Sequence, residues 1–181
     1  MLNFNEDDHG PLQGVRVLDM TRLIAGNMLS LQLADFGAEV IKIERPEGDF
    51  ARGYDASAAG QSSYFVWLNR GKTSVTIDIA TTEGKAELEL LIGDADVLIQ
   101  NLKRGALERL GFGAKRLAKD YPRLINCAIT GYGEDGPMAD RKAYDPGQAG
   151  FWRANGFDQA LHQLTYVAMA GIWAWWYHPS L

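Results

Sequence analysis

The most obvious chemical motif in the chain is a glycine-rich segment. Residues 131–136 read Gly-Tyr-Gly-Glu-Asp-Gly, a literal G-x-G-x-x-G that directly follows a predicted strand. A dinucleotide-binding loop opens a helix whose amino terminus faces the pyrophosphate, whereas this segment holds two acids and continues into Pro137. Because carboxylates would repel a phosphate, the pattern favours a glycine-rich surface loop over a nicotinamide or flavin site.

Two arginines follow predicted strands, at the edge where open α/β sheets bind ligands. Arg22 lies in the turn of residues 19–26, where backbone amides at a helix start would face a ligand. Arg45 follows the second strand, at the level where Rossmann-type folds hold an adenosine ribose or its phosphate. For the turn that holds Arg22, the alternative is an ordinary connection with Thr21 as the helix N-cap. For Arg45, the alternative is a solvated arginine at a strand end.

Cysteine and histidine offer little chemistry in the main part of the chain. Cys127, the single cysteine, lies in an apolar strand and is interpreted as a buried core thiol rather than a nucleophile. No histidine occurs between His9 and His162, which excludes a histidine-based triad or a histidine-rich metal site there.

An acid after the glycine-rich segment is a further candidate. Asp145 directly follows the phenol of Tyr144 and lies three positions after Lys142. The three side chains could line an active site. An acid before a proline is also an ordinary turn former, and this interpretation stays open.

The elements that must position these residues alternate along the chain. Short runs rich in β-branched residues predict strands at 14–19, 39–44, 73–79, 96–100 and 124–130. Apolar periodicity predicts helices at 24–36, from Thr81 or Thr82 to 92, within 105–110, and at 114–120, with Gly37 as the glycine that ends the first helix. Residues 46–60 are predicted as a long loop, and 63–68 are left undecided. The alternation predicts an α/β fold, a Rossmann-like parallel sheet with helices on both faces.

Composition excludes several classes of protein. The 181 residues are 46% hydrophobic and 23% charged, which is typical of one globular unit. A net charge of -5 argues against nucleic-acid binding, which needs a surplus of basic residues. The most apolar stretch, residues 164–177, is interrupted and shorter than the roughly 20 residues of a membrane span. A single cysteine and an acidic N-terminus unlike a signal peptide predict a cytoplasmic protein.

The composition changes abruptly near residue 147. Residues 147–181 hold four of the five tryptophans and two of the three histidines. We therefore expect an acidic N-terminal tail at 1–12, a Rossmann-like domain at 13–146, and an atypical Trp-rich tail at 147–181.

Several segments in this order are similar to those of a known family. They are Gly-Val-Arg-Val-Leu-Asp-Met-Thr-Arg (14–22), Ala-Gly (25–26), Leu-Ala-Asp-Phe-Gly-Ala-Glu-Val-Ile-Lys-Ile-Glu-Arg-Pro (33–46), Leu-Asn-Arg-Gly-Lys-Thr-Ser (68–74), Ala-Asp-Val-Leu-Ile-Gln-Asn (95–101), residues 105–111, Tyr-Pro-Arg-Leu (121–124), Ile-Thr-Gly-Tyr-Gly-Glu-Asp-Gly-Pro (129–137) and Ala-Tyr-Asp (143–145). The chain resembles the class III coenzyme A transferases, the family of carnitine and bile-acid CoA transferases, formyl-CoA transferase and 2-methylacyl-CoA racemase. The order and spacing hold from about residue 11 to residue 145.

The resemblance implies an acyl-CoA enzyme whose Rossmann-like large domain binds CoA across the carboxyl ends of its strands. CoA or acyl-CoA is then a substrate rather than a tightly bound cofactor, and a small carboxylic acid is the second partner. Full-length members form homodimers, and the oligomeric state here stays open. The residues implied to contact CoA are Arg22, Leu23, Ala25, Arg45, Ile77, Asn101, Leu102, Arg109 and Lys142, with Tyr144 and Asp145 lining the active site.

The chain departs from the family pattern at three positions, and two of these departures reduce the number of activities that the resemblance implies. The glutamine of formyl-CoA transferases in the first turn is Ile24 here, which argues against formyl transfer to oxalate. A lysine of the family is replaced by Ala80. Racemases place a histidine at the position of Tyr144, so the resemblance favours a transferase over a racemase.

The family nucleophile is predicted to be absent. Family transferases use an aspartate that attacks the thioester, expected about thirty positions after Asp145. No acid occurs after Asp158. We therefore expect a truncated or frameshifted transferase that is inactive alone. The alternatives are a non-catalytic CoA-binding module, an NAD(P)-binding fragment, and a non-functional product.

Overall fold

The structure, a computed structural model, describes residues 10–139. The chain divides into two compact units, Met1–Thr130 and Gly131–Leu181. The elements follow in the order β1 (Arg16–Asp19), α1 (Ala25–Asp35), β2 (Glu39–Glu44), a short 3-10 helix (Phe50–Gly53), α2 (Ser63–Asn69), β3 (Lys72–Thr76), α3 (Thr82–Gly93), β4 (Val97–Gln100), α4 (Ala106–Leu110), α5 (Ala114–Asp120) and β5 (Ile125–Ala128).

The five strands form one parallel sheet. Their spatial order is β3-β2-β1-β4-β5, so the chain runs outward to β3 and then crosses back over β1 to β4. The direction of winding therefore changes between β1 and β4. In open α/β sheets, ligands bind beyond the carboxyl ends of the strands at such a switch point. The predicted parallel α/β fold is confirmed.

Alternating residues of the strands build a core on each face of the sheet. In β1, Leu18 belongs to one core and Val17 to the other, and both side chains are fully buried. The Leu18 core includes apolar side chains of α3, α4 and α5. The Val17 core takes Leu33 and Ala34 from α1. Both faces are thus covered by helices, as predicted.

Capping differs between the first and the third helix. Thr81 caps α3, as predicted, because its hydroxyl accepts a hydrogen bond from the Gly84 amide at 3.0 Å. The prediction of Thr21 as the N-cap of α1 was wrong. The hydroxyl of Thr21 donates to the Asp19 carboxylate at 2.6 Å, and Ile24 occupies the N-cap position without a side-chain bond. Gly37 follows α1 with φ +95°, the left-handed conformation that a helix-ending glycine takes.

Three local predictions need correction or completion. The undecided segment 63–68 is helix α2, which Ser62 caps by accepting from the Phe65 amide at 3.4 Å. The predicted loop 46–60 contains the 3-10 helix, and Asp49 caps it by accepting from the Ala51 amide at 3.0 Å. Cys127 is half-buried rather than buried, because β5 is an edge strand.

The ends of the predicted domain are described only in part. Leu12, which the prediction assigned to the N-terminal tail, donates its amide to the Phe36 carbonyl at 3.0 Å and packs against the Val17 core. Residues 131–139 form exposed bends and turns and open no helix, as expected of a surface loop. The predicted boundary at 146 and the tail 147–181 lie outside the described residues. No helix in the described part of the chain is long and apolar enough to cross a membrane.

Two leucines of α3 test how much the core contributes to stability. Leu88 is fully buried against the sheet, whereas Leu90 is 75% exposed. We expect Leu88→Ala to lower the free energy of unfolding by about 2–5 kcal/mol, because it leaves a cavity. The matched Leu90→Ala variant should change it by less than about 0.5 kcal/mol. Urea unfolding followed by circular dichroism measures both, and equal effects would contradict this packing of α3.

Candidate functional site

A cleft opens beyond the carboxyl ends of β1 and β2, at the switch point of the sheet. It is lined by Met20, Thr21, Arg22, Lys42, Ile43, Glu44, Arg45, Gly48, Asp49, Ile77, Asp78, Ile79, Ala80, Leu102 and Leu110. Four residues predicted to bind a ligand from positions far apart in the chain therefore meet here: Arg22, Arg45, Ile77 and Leu102. Their convergence follows from the parallel sheet, since the ends of parallel strands lie at one edge.

Two guanidinium groups stack on one aromatic ring beside the cleft. The Arg22 guanidinium lies 5.7 Å from the centre of the Phe50 ring, and that of Arg45 lies 4.5 Å from it. Burial lowers the pKa of Arg22, and the neighbouring Arg45 charge lowers it further. Arg45 Nε donates to the Gly48 carbonyl at 3.2 Å and lies 3.3 Å from the exposed Glu47 carboxylate. An anion bound between these arginines would relieve their mutual repulsion.

The first turn, residues 20–24, is held in an unusual conformation. Leu23 has φ +65°, which is costly for a residue with a side chain. The Asn27 amide donates to the Leu23 carbonyl at 2.6 Å. Asn101 bonds to both sides of Arg22, accepting from its amide at 2.9 Å and donating to its carbonyl at 2.8 Å. The resemblance implies that Asn101 contacts CoA, but in this structure its carboxamide forms hydrogen bonds with the main chain of the turn.

Two ion pairs are buried between the sheet and α1. Lys42 and Asp49 are 3.0 Å apart, and Lys72 and Asp19 are 3.1 Å apart, with all four side chains almost inaccessible. Burial lowers the pKa of Lys72, and the Asp19 charge opposes that shift. Burial raises the pKa of Asp49, but hydrogen bonds from the Ala51 amide and the charge of Lys42 outweigh it, so the pKa is lowered.

Sequence reasoning missed this buried network. Lys42 lies inside the strand 39–44 between apolar neighbours, where a charge has no solvent to face, and that position was the available signal. Lys72 was harder to identify as a buried charge, because the predicted strand began at residue 73 and Lys72 therefore lay outside it. Asn27 and Ser30 lie on the buried side of α1, where the predicted helix had polar residues without assigned partners.

Glu44 is the most strongly perturbed carboxylate of the cleft. Burial would raise its pKa, but hydrogen bonds from Arg52, Ser74 and the Asp49 amide lower it to about 2. The Arg52 contact is bidentate, with Nε at 2.7 Å and Nη2 at 2.6 Å from the two carboxylate oxygens. Glu44 is therefore ionised and fully engaged at neutral pH.

Comparison with known proteins identifies the family of this chain. A sequence model of CoA-transferase family III matches residues 12–170. The chain belongs to this family. The match continues past residue 147, so it gives no support to a foreign segment that begins there.

The relatives are CoA transferases of greater length. The chain is 39% identical to the succinate–glutarate CoA-transferase of Agrobacterium fabrum (strain C58), covering 94% of this chain and 45% of the relative. It is 41% identical to the succinyl-CoA:glutarate CoA-transferase of Mus musculus, covering 77% of this chain and 32% of the relative. A crystal structure of a CAIB/BAIF family protein from Brucella suis superposes with a TM-score of 0.71 at 40% identity, covering 76% of this chain and 38% of that one. The chain thus spans less than half the length of these relatives.

The remaining residues implied by the CoA-transferase resemblance are placed as follows. Leu23 and Ala25 belong to the first turn and to the start of α1. Arg109 is exposed on α4 and is not among the residues that line the cleft. Lys142, Tyr144 and Asp145 lie outside the described residues, so their roles stay predictions.

Of the two departures from the family pattern that fall within the described residues, only Ala80 is among the residues that line the cleft. Ile24 is 47% exposed at the start of α1. Within residues 10–139 no group of three histidine, cysteine, aspartate or glutamate side chains is arranged to hold a metal ion.

The depressed pKa of Glu44 makes stability depend on acid pH. Its carboxylate titrates near 4.5 in its ordinary state and at about 2 in the fold, so its stabilisation is complete above 4.5 and lost as pH falls toward 2. We expect wild type to lose roughly 2–3 kcal/mol more than Glu44→Gln over that interval. Urea unfolding at several pH values measures the difference.

The exposed Glu87 of α3 provides the matched control. Glu87→Gln should lose stability with falling pH as wild type does. Parallel curves for wild type and Glu44→Gln between pH 4.5 and 2 would contradict the engagement of Glu44.

Proposed function

We propose that the cleft binds the CoA moiety of an acyl-CoA, in a protein that transfers CoA between a thioester and a small carboxylic acid. The observation that carries this proposal is the pair of guanidinium groups on the Phe50 ring at the switch point of the sheet. Two arginines converging beside an apolar wall match a ligand with phosphates at one end and an uncharged arm at the other.

Each part of the cleft suits a part of CoA. Arg22 and Arg45 supply cations for the phosphates. Ile43, Ile77 and Leu102 supply an apolar wall for uncharged parts of the ligand. Helix α1 begins beside them without a side-chain cap, so the positive end of its dipole is available to negative charge.

The described residues supply binding rather than a nucleophile. Glu44 and Asp49, the buried carboxylates of the cleft, are both occupied by hydrogen bonds and ion pairs. The third carboxylate that lines the cleft, the exposed Asp78, accepts a hydrogen bond from the Ala80 amide at 3.0 Å. We therefore propose that the carboxylate that attacks the thioester comes from outside residues 10–139. We also propose that this chain alone is inactive, and that Arg109 and Lys142 make further contacts with CoA.

The substrates proposed for the whole protein follow from the names of its relatives. Those of Agrobacterium fabrum and Mus musculus are named for succinate or succinyl-CoA and for glutarate. We propose a short carboxylic acid as the acceptor and use succinyl-CoA with glutarate as the test pair. We also propose that the protein acts in the cytoplasm.

Calorimetric titration with CoA tests the binding site. We expect Arg22→Ala and Arg45→Ala each to weaken CoA binding about tenfold, or ~1.4 kcal/mol, because each removes a cation from the phosphate side. Arg70→Ala is the matched control, because Arg70 pairs with Asp35 at the surface of α1, away from the cleft. Its affinity for CoA should equal that of wild type.

Further outcomes of these titrations, together with an assay of CoA transfer, separate the rival functions. Displacement of CoA by NADH at similar concentration would favour the NAD(P)-binding alternative. CoA binding without exchange between succinyl-CoA and glutarate supports a binding role for this chain, whereas turnover would show that the nucleophile is present after all. No change in affinity in either arginine variant would overturn the assigned cleft.

A further inference from the structure

Three side chains, of which Lys42 and Asn27 are buried and Asn101 is half-buried, donate hydrogen bonds to three successive carbonyl groups of the first turn. Lys42 donates from Nζ to the Thr21 carbonyl at 3.0 Å. Asn101 donates to the next carbonyl, that of Arg22, at 2.8 Å. Asn27 donates to the third, that of Leu23, at 2.6 Å. The donors come from β2, from the end of β4 and from α1, so the turn is tied to three elements at once.

Two of the donors, Lys42 and Asn27, are also bonded to each other and to Asp49. Lys42 Nζ lies 2.7 Å from the Asn27 side-chain oxygen and 3.0 Å from Asp49. The Asn27 amide also donates to Asp49 at 3.1 Å. The side chains of Lys42, Asn27 and Asp49 are buried, and their orientations are therefore set by one another rather than by solvent.

We propose that Lys42, Asn27 and Asn101 form a carbonyl clamp that positions the first turn for its ligand. The clamp draws the carbonyl oxygens of residues 21–23 toward side-chain donors and holds Leu23 at its positive φ. It thereby fixes the backbone from which the Arg22 side chain projects toward the cleft. Lys42 and Asn27 are positioning residues and need not touch the ligand.

The clamp has a clear electrostatic consequence. A carbonyl oxygen that pointed at the cleft would repel the phosphates or the thioester oxygen of an acyl-CoA. Turning three oxygens inward removes that repulsion and leaves the cations of Arg22 and Arg45 at the ligand side. This role rests on the proposed binding of CoA, but the geometry of the turn can be tested without any ligand.

The neighbouring buried lysine offers a matched comparison. Lys72 is as buried as Lys42 and pairs with Asp19 on the same face of the sheet. Its other partners are Ser30, the Asn69 side chain and the Asn27 carbonyl, none of which is a carbonyl of the turn. Lys42→Met and Lys72→Met each delete one buried ammonium and leave a carboxylate with other hydrogen bonds. Only the first removes a clamp bond.

Hydrogen exchange of the ligand-free chain is the first measurement. We expect Lys42→Met to speed amide exchange in the peptide covering residues 20–24 by about tenfold relative to Lys72→Met, with both normalised to exchange of β4. Asn101→Ala removes two bonds of the turn but no buried charge, so it should show the same acceleration even if Lys42→Met folds poorly. Equal exchange in all three variants and wild type would overturn the clamp.

Calorimetric titration with CoA is the second measurement. We expect Lys42→Met to weaken CoA binding about tenfold and Lys72→Met by less than about threefold. If both variants weakened CoA binding equally, the network would act only through general stability, and this result would contradict a positioning role for Lys42. If wild type does not bind CoA, the proposed function fails, while the exchange measurement still decides whether the clamp holds the turn.

Discussion

The buried charges between the sheet and α1 are the constraint on which the rest of the structure depends. Two lysines and two aspartates lie there with almost no contact with water, and an unpaired charge in that layer would cost several kcal/mol. Each charge must therefore be met by a partner at a fixed place. Asp19 and Lys42 are in neighbouring strands, Lys72 comes from the edge strand, and Asp49 comes from the segment after β2.

The need to pair each buried charge explains how the irregular chain between β2 and α2 is held in place beside the cleft. The chain between β2 and α2 has little apolar surface of its own, yet Asp49 is anchored by Lys42, and the Asp49 amide is anchored by Glu44. The 3-10 helix that follows carries Phe50, on which Arg22 and Arg45 stack. The position of the aromatic ring, and with it the direction of both cations, is thus a consequence of the buried pairs.

Local pattern was sufficient for most of the fold but not for the network. The bounds of β2 and α5 agree with the predicted 39–44 and 114–120, because alternation and helical periodicity are visible within a few residues. The Thr21 cap was wrong because the hydroxyl had a stronger acceptor in Asp19, which only the folded turn brings within 2.6 Å. Lys42 was not predicted as part of a network because its partners, Thr21, Asn27 and Asp49, lie outside its own strand and are brought to it only by the fold. Arg22 and Arg45 could be found, since residues after parallel strands converge by topology alone.

The buried pairs also decide which cations are available to a ligand. Lys42 lines the cleft, and by residue type it would be a natural phosphate ligand. Its ammonium group, however, forms an ion pair with Asp49 and donates hydrogen bonds to the Asn27 side chain and the Thr21 carbonyl. An approaching phosphate would have to break a buried ion pair to reach it, and this costs more than the new contact returns. Among residues 10–139 no buried carboxylate pairs with Arg22 or Arg45, so the proposed ligand affinity rests on these two arginines, while Lys42 is proposed to shape the turn that carries Arg22.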